Sequence, residues 1–483
     1  MASAACPERV RTTDTSSGGQ RVAPPKKRNG DRMRAYSLPH RMGSGRSRAW
    51  LAAALLVLPA GVALAQDAGQ TGPGAADAVM QGFPPPPDQQ VTRGNGLRPP
   101  YMRWAFRHTR ELSPTAGIRH AKEPLALPVR QVAALDDTTF AVGGSTVTLA
   151  DYLRATHTDG FIVLQDGKVV YERYFNGFGP EQPHIWASMT KSVTGLLAAM
   201  LVEEGKLDPQ ARLARYVPEL AGNPFGEATV QQNLDMEVAV GYPEALPPDL
   251  GLFGAVGIVP RKSDAPDNIY DFLKVVHATG GPGDAGVWYY QNGSPEAVAW
   301  ALRRITGKSW AQLVTERLWS RFAEDDAYAQ VDRLGTEMAS GGLNTTLHDA
   351  ARFAEAVRRA VAGDASGGMS PAVVRIALQP ASNQARFARG NLTPGREGYG
   401  YRNYWFQRND GDGSIEASGR FGQKIYINPR LGLTVVKFSA SPDNAARPTS
   451  AAGIHKRDDP SRVLETPAAM AAAALAIHRV ASR

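Results

Sequence analysis

Residues 185–208 read IWASMTKSVTGLLAAMLVEEGKLD, and within this stretch Ser188 is followed three residues later by Lys191. Apolar residues recur at helical spacing after the pair until Gly205, which predicts a helix from Ser188 to Glu204. Residues three apart share a helix face, so the Lys191 amine can reach the Ser188 hydroxyl, which needs a base to act as a nucleophile. Burial and the positive end of the helix both lower a lysine's pKa. The stretch therefore predicts a serine nucleophile beside an amine that is basic near neutral pH.

The Ser188 and Lys191 pair also has a purely structural interpretation. Ser188 could cap the helix while Lys191 is a solvated residue of its first turn. Twelve lysines occur in the chain and Lys191 alone has Ser three residues earlier, so chance supplies about one such match. However, a lysine opposes the helix dipole at this end, and the helix behind it is too apolar for a surface position. These two conflicts favour the catalytic interpretation.

A second candidate motif is WYYQNG at 288–293, directly before a predicted helix. The phenol of Tyr290 could share protons with Lys191 and relay the Ser188 proton to a leaving group. The alternative is that Tyr290 only packs in the core and that Asn292 belongs to a turn, as Asn-Gly often does.

A third candidate motif is SGRFGQ at 418–423, which precedes a predicted strand at 424–428. Glycine beside a strand, here Gly422, lets a substrate approach the backbone. The backbone amide of Gln423 could then pair with that of Ser188 as an oxyanion hole, where each donor is worth about 10²- to 10³-fold in rate. The alternative is an ordinary hairpin turn.

The predicted elements divide the chain into three parts. Residues 1–65 form a leader with a signal peptide, 66–128 a Gly- and Pro-rich extended segment, and 129–483 the catalytic domain. Regular structure is expected from about Thr148. Strands near both ends of this domain, with a helical region inserted at about 208–362, predict an α+β fold in which one antiparallel sheet is built from both ends of the chain and flanked by helices. The predicted strands are 161–164, 168–171, 414–417, 424–428 and 433–438.

The net charge of +8 is concentrated in the leader. Residues 1–65 hold 11 Lys and Arg residues against three acids, and the remainder holds 43 of each sign. An uncharged run at 49–65 follows Arg46 and Arg48 and ends in Ala-Leu-Ala before Gln66, which is typical of a cleaved signal peptide. The run is shorter than the ~20 residues that span a bilayer. We expect a soluble periplasmic or secreted protein without membrane attachment, whose translation starts at Met1, Met33 or Met42.

Several function classes lack their patterns in this sequence. The only cysteine, Cys6, precedes the predicted cleavage, so the mature chain has neither a disulfide nor a thiol nucleophile. The histidines show no metal-ligand spacing, and neither a Gly-x-Ser-x-Gly elbow nor a Gly-rich phosphate loop is present. The neutral mature charge argues against nucleic acid. We expect no metal or other cofactor, no nucleic-acid partner, and a small-molecule amide or ester as substrate; the sequence gives no oligomeric state.

In this order the three motifs resemble those of the serine β-lactamase and penicillin-binding protein superfamily, which are Ser-x-x-Lys, Tyr-x-Asn and a basic residue followed by x-Gly. The likeness is greatest to its class C-like branch, which includes 6-aminohexanoate-dimer hydrolases and related esterases. It covers roughly residues 151–439, with further support from SGGLNTTLHDAARF at 340–353, YGYRNYWF at 399–406 and GQKIYINP at 422–429. The resemblance implies a β-lactamase/transpeptidase-like fold. It also implies acylation of Ser188, a Lys191 and Tyr290 base pair, and a substrate contact from Asn292.

The third motif departs from the family pattern. Arg420-Phe421-Gly422 stands where β-lactamases of this kind have Lys-Thr-Gly. Arg420 keeps a positive charge that could hold a substrate carboxylate, but Phe421 replaces a hydroxyl that would hydrogen-bond it. We therefore expect hydrolysis of a small amide or ester. Two alternatives stay open: a β-lactamase or D-alanyl-D-alanine carboxypeptidase, and a sensor that is acylated but does not turn over.

Overall fold

The computed structural model describes residues 79–246, 248–279, 288–392, 395–442 and 463–483, so the predicted leader and signal peptide lie outside the described residues. In the described part the strands are β1 Thr115–Ile118, β2 Thr139–Val142, β3 Ser145–Thr148, β4 Thr158–Gln165, β5 Lys168–Tyr174, β6 His184–Ile185, β7 Val240–Gly241, β8 His277–Ala278, β9 Ala327–Gln330, β10 Leu343–Thr345, β11 Gly400–Arg402, β12 Trp405–Gln407, β13 Ile415–Gly419, β14 Gln423–Asn428 and β15 Leu433–Ser439.

The described α-helices are α1 Met102–Arg107, α2 Thr109–Leu112, α3 Leu149–Ala155, α4 Thr190–Glu203, α5 Pro224–Glu227, α6 Val230–Leu234, α7 Pro248–Val256, α8 Ile269–Lys274, α9 Gly293–Thr306, α10 Trp310–Arg317, α11 Leu347–Val361, α12 Pro371–Ala377, α13 Gln384–Phe387 and α14 Pro467–Ala481. None of them is long and apolar enough to cross a membrane.

The main sheet has seven antiparallel strands in the order β11-β12-β13-β14-β15-β4-β5. Strand β4 lies beside β15, so a hairpin from before the helical region and strands from after it share one sheet, as predicted. The hairpin turns at Asp166 and Gly167, which both adopt positive φ (52° and 77°), the conformation that an Asp-Gly turn supplies.

The two faces of this sheet bury different helices. Side chains such as Ile162, Ile425 and Val436 belong to a core shared with α4, α9 and α11. Tyr426 and Val435, on the other face, pack with the Ala-rich helix α14. Helix α4 is buried from Thr190 to Leu201, so the apolar sequence behind Ser188 did predict an interior helix.

The segment before residue 129 is more regular than the sequence predicts. Within residues 79–128 lie α1, α2 and β1, and β1 pairs with β9 in a second sheet of order β1-β9-β10-β6. Phe106 of α1 packs against Phe421 with ring centroids 4.7 Å apart. Regular structure thus begins well before Thr148, because the short helix α1 buries Met102, Ala105 and Phe106 and is stabilised by long-range contacts.

The region expected to be helical, about 208–362, contains α5 to α11 and also four short strands, β7 to β10. Strand β10 pairs with β6, whose residues directly precede the turn of Ser188. These strands were missed because each is only two to four residues long and depends on a distant partner.

Candidate active site

Ser188 lies in a 3₁₀ turn, Ala187–Met189, that leads into α4. Ala187 has a positive φ of 46°, a strained conformation for a residue with a Cβ atom. The turn is anchored on β10, since the Trp186 backbone N–H donates to the Leu343 carbonyl (2.8 Å) and its indole donates to the Thr345 hydroxyl (2.7 Å). Ser188 itself remains partly exposed, so a substrate can reach it.

The Lys191 amine is buried beside Ser188. Its Nζ lies 2.9 Å from Ser188 Oγ, 2.6 Å from Asn292 Oδ1 and 2.7 Å from the Ser340 carbonyl oxygen. Burial lowers the pKa of Lys191 to about 7, while the carboxylates of Asp249 and Glu296 act in the opposite direction. A substantial fraction of Lys191 is therefore uncharged near neutral pH.

The three partners of Lys191 determine where its lone pair points. The carbonyl of Ser340 and the amide oxygen of Asn292 can only accept hydrogen bonds. In the neutral amine these two oxygens take both N–H groups, which leaves the lone pair directed at the Ser188 hydroxyl. The geometry thus suits proton removal from Ser188.

Tyr290 lies beside both the nucleophile and the Lys191 amine. Its ring packs with Trp288, Tyr401 and Phe406, and its centre is 5.2 Å from Lys191 Nζ. Burial raises the pKa of Tyr290 to about 12, although a hydrogen bond with Ser188 acts against this rise. The phenol therefore keeps its proton near neutral pH and is suited to donating it.

Asn292 and Arg420, both predicted to contact substrate, are joined by Asp249 of α7. Asn292 Nδ2 donates to Asp249 Oδ1 (2.8 Å), and Arg420 Nη1 donates to Asp249 Oδ2 (3.2 Å). The structure therefore brings Ser188, Lys191, Tyr290 and Asn292 together, with Arg420 linked to them through a carboxylate that sequence analysis missed.

Comparison with known proteins shows the family to which the chain belongs. The model of the family described as Beta-lactamase matches residues 148–457, well over half of the chain. The chain belongs to the β-lactamase family. It is also 32% identical over 355 residues to the 6-aminohexanoate-dimer hydrolase of Paenarthrobacter ureafaciens, an alignment that covers 72% of this chain and 88% of that protein.

Solved structures agree with this membership of the β-lactamase family. A candidate 6-aminohexanoate-dimer hydrolase from Bacillus anthracis superposes with a TM-score of 0.67 at 35% identity, covering 76% of this chain and 94% of the other. A candidate β-lactamase from Bacteroides dorei, with a TM-score of 0.50 at 16% identity over 69% of this chain and 97% of the other, shares the fold. The protein is a serine hydrolase of the β-lactamase family, and the predicted fold is confirmed.

In this β-lactamase-family member, Gly422 and Gln423 of the third motif are more closely packed than the sequence predicts. Gly422 has a φ of 89°, and a Cβ atom there would lie 2.9 Å from Ser439 Cβ. Gln423 is fully buried, and its side chain donates to the Ser439 carbonyl (2.6 Å) and accepts from the Ser439 N–H (3.0 Å). These contacts fix both residues to β15. The role of the Gln423 backbone amide in an oxyanion hole stays a prediction.

The residue of this motif that reaches the nucleophile's turn is Gly419, at the end of β13. A Cβ atom at Gly419 would lie 2.4 Å from the Trp186 carbonyl oxygen, so only glycine permits this approach. Phe421, in place of a hydroxyl residue, has a φ of 65° and is buried against Phe106.

The sequence analysis assigned no role to four further residues of the site. They are Asp249 and Glu296, whose charges act on Lys191; Ser340, whose carbonyl binds it; and Asn391, whose side-chain amide binds both the N–H (2.7 Å) and the carbonyl (2.9 Å) of Tyr290. Glu296 alone offered a clue, because it is a charged residue among the buried positions of an apolar helix.

Proposed function

We propose that this hydrolase cleaves a small amide or ester through an acyl-enzyme on Ser188, with Lys191 as the base and Tyr290 as the proton donor. The observation that carries the proposal is the set of three oxygens around Lys191 Nζ, which directs the lone pair of the neutral amine at Ser188. The pKa of Lys191, about 7, makes that neutral form available under ordinary conditions.

The proposed reaction has two halves. Ser188 Oγ attacks the substrate carbonyl carbon while its proton passes to Lys191, forming a tetrahedral intermediate. The bond to the leaving nitrogen or oxygen then breaks as Tyr290 donates a proton to it, and Lys191 returns its extra proton to Tyr290. Water attacks the acyl-enzyme with the same groups acting in reverse, which releases the acid and restores Ser188.

The substrate that we propose is a linear amide whose two ends are charged. The curated relative is named for the dimer of 6-aminohexanoate, a molecule with one amide between an ammonium end and a carboxylate end. Asp249 offers a carboxylate beside Asn292, and Arg420 a cation, and the two pair with each other at 3.2 Å. Each charged end of such a substrate could bind the member of this ion pair that has the opposite charge.

A second group of cations favours a carboxylate-bearing substrate. Lys424 Nζ (3.0 Å) and Arg396 Nη2 (3.5 Å) both approach Ser418 Oγ, beside the end of β13. Arg396 is buried, and its Nε has no hydrogen-bond partner among the described residues. Burial and the positive charge of Arg396 lower the pKa of Lys424 to about 7, so an anionic group bound here would favour the protonated form of Lys424. Arg396 and protonated Lys424 would then hold a substrate carboxylate together, which supports this substrate class.

The test is a hydrolysis screen with the purified mature protein. The substrates are the linear 6-aminohexanoate dimer, the same dimer with its amine acetylated or its carboxylate amidated, a p-nitrophenyl ester and a chromogenic cephalosporin. We expect turnover of the dimer and of the ester, with each capped dimer cleaved more slowly. Cephalosporin turnover alone would favour the β-lactamase alternative, and one equivalent of product followed by arrest would favour the sensor.

We also propose that residues 1–65 are removed on export to the periplasm or the medium, so that the mature chain begins near Gln66. The uncharged run and its Ala-Leu-Ala ending support this proposal. Terminal sequencing of exported protein tests it, and material that still carries residues 1–65 would contradict it.

A further inference from the structure

Glu296 is a fully buried carboxylate in the first turn of α9, four residues after Asn292. Its two oxygens accept hydrogen bonds from consecutive backbone amides: Oε1 from Ser340 (2.8 Å) and Oε2 from Ala339 (3.1 Å). The carboxylate therefore holds the two peptide groups in one orientation.

The backbone that Glu296 holds leads directly into the carbonyl group that binds the base. The Ser340 carbonyl, which accepts from Lys191 Nζ at 2.7 Å, belongs to the same residue as the amide that Glu296 binds. This carbonyl is one of the two acceptors that direct the Lys191 lone pair at Ser188. A rotation of the Ser340 peptide would turn the lone pair away from the nucleophile.

Glu296 also acts on Lys191 by charge. Burial lowers the pKa of Lys191, whereas the negative charges of Asp249 and Glu296 raise it. Burial raises the pKa of Glu296 itself, and the charge of Arg303 and the amides of Ser340 and Ala339 oppose that rise.

Other charged or titratable groups surround the pair. Lys191 faces Asp249 from α7 and Tyr290 from the segment before α9, and Glu296 lies near Tyr404 and Arg303. Arg396 acts on Tyr290. Arg420 pairs with Asp249. A change at Glu296 leaves all of these groups in place, so its effect on Lys191 can be measured separately.

We infer that Glu296 is a positioning residue for the base: by holding the backbone of Ala339 and Ser340 it aims the lone pair of Lys191 at Ser188, and its buried carboxylate acts electrostatically on the amine. This inference rests on the proposed function, because it requires Lys191 to be the base. It assigns a role to a side chain that touches neither the substrate nor the nucleophile.

The test is the pH dependence of single-turnover acylation by Glu296→Gln, measured with an activated ester. Loss of the negative charge favours the uncharged amine, so the acid limb of the profile should move to lower pH by about one unit. The plateau rate should also fall by roughly tenfold or more, since an amide cannot accept from both backbone N–H groups. A lower plateau with an unmoved limb would overturn the inference.

A matched control is Glu337→Gln. Glu337 is also buried, accepts from the consecutive amides of Trp310 (3.3 Å) and Ala311 (3.0 Å), and pairs with Arg303, but it is not among the groups that act on Lys191. We expect Glu337→Gln to lower thermal stability and to leave the acid limb in place. Equal limb shifts in both variants would show a general effect of lost buried charge and overturn the inference.

Two further variants keep the test decisive. Glu296→Asp retains the charge but shortens the side chain, so we expect a lower plateau rate with the limb within a few tenths of a pH unit of wild type, even if Glu296→Gln does not fold. A wild-type plateau for Glu296→Asp would overturn the positioning role. Lys191→Met separates the two proposals, because full acylation by that variant would refute the proposed function itself.

Discussion

Two pairs of a serine with a buried lysine look alike in this protein and differ in what surrounds them. At the start of α4, Lys191 Nζ lies 2.9 Å from Ser188 Oγ, and at the end of β15, Lys437 Nζ lies 2.5 Å from Ser439 Oγ. Burial lowers the pKa of both amines, to about 7 for Lys191 and to about 8 for Lys437. A perturbed lysine beside a serine is therefore not sufficient to identify a nucleophile.

The difference lies in the serines and their third partners. Ser439 is fully buried and its hydroxyl donates to the Thr156 carbonyl (3.2 Å), which makes the pair a bridge between β15 and the end of α3. Ser188 is partly exposed and shares a hydrogen bond with the phenol of Tyr290. Access and a second proton carrier distinguish the site that can react from the pair that stabilises the fold.

The largest effect should come from exchanging the two serines for alanine in separate variants. Ser188→Ala should reduce turnover by roughly four to six orders of magnitude and abolish labelling by a serine-directed phosphonate, because the attacking oxygen is gone. Ser439→Ala should remain labelled and active. Steady-state kinetics and intact-mass measurement check both, and labelling that persists in Ser188→Ala would end the assignment of Ser188.

The next largest effect should show whether Lys191 and Tyr290 act together as one base or as independent residues. Lys191→Met and Tyr290→Phe should each slow acylation by about three orders of magnitude, and the double variant should be little slower than the worse single variant. Tyr290→Phe keeps the ring that packs against Phe406, so a purely packing role would leave the rate unchanged. Wild-type acylation by Tyr290→Phe from about pH 6 to 9 would refute the relay.

Replacing Lys437 should change the free energy of unfolding and leave the catalytic rate unchanged. Its folded-state pKa, about 8, lies below the ordinary value of 10.5, so the unfolded chain binds more protons between these values and stability should rise with pH across that window. Lys437→Met should flatten this rise, by an amount on the order of 3 kcal/mol over the window. Urea unfolding at pH 7.5 and 10.5 checks the slope, with Lys168→Met, at an exposed position, as the control. An unchanged slope in Lys437→Met would contradict the comparison.

A third pair, Ser418 and Lys424, should give the smallest effect. Since this pair adjoins the end of β13, Lys424→Met should raise KM for the linear 6-aminohexanoate dimer by about tenfold and leave the p-nitrophenyl ester, which has no carboxylate, nearly unaffected. Equal changes for both substrates would indicate a structural role and place this pair with Ser439 and Lys437.

The sequence predicted the parts of the fold that depend on local pattern. The hairpin at Asp166-Gly167, the interior helix after Ser188 and the strands that end the domain each follow from periodicity and turn residues. Strand β1 and helix α1 were missed, because α1 is only six residues long and its stability comes from distant partners such as Phe421.

The residues of the candidate site likewise divide into those that local sequence predicts and those that depend on distant contacts. Ser188 and Lys191 are three residues apart, so their proximity follows from helix geometry, whereas Tyr290 and Asn292 were placed by resemblance to a family. The residues that act on Lys191 are distant along the chain: Asp249, Glu296 and Ser340 are 58, 105 and 149 residues away from it. No local sequence pattern predicts contacts over such separations. Gly422 and Gln423 were placed at the substrate because a glycine precedes a predicted strand there, but the structure packs both residues against β15.

Helix α1 has a consequence for how small the working enzyme can be. The family match begins at residue 148, yet Arg103 and Arg107 of α1 bind the buried carboxylate of Asp159 at 2.9 Å, and Asp159 also contacts His184 (3.3 Å). A chain cut back to residue 129 would remove both arginines from Asp159, whose partner His184 lies four residues before Ser188, and would uncover the ring of Phe421. We therefore expect the smallest chain that folds and works alone to include α1.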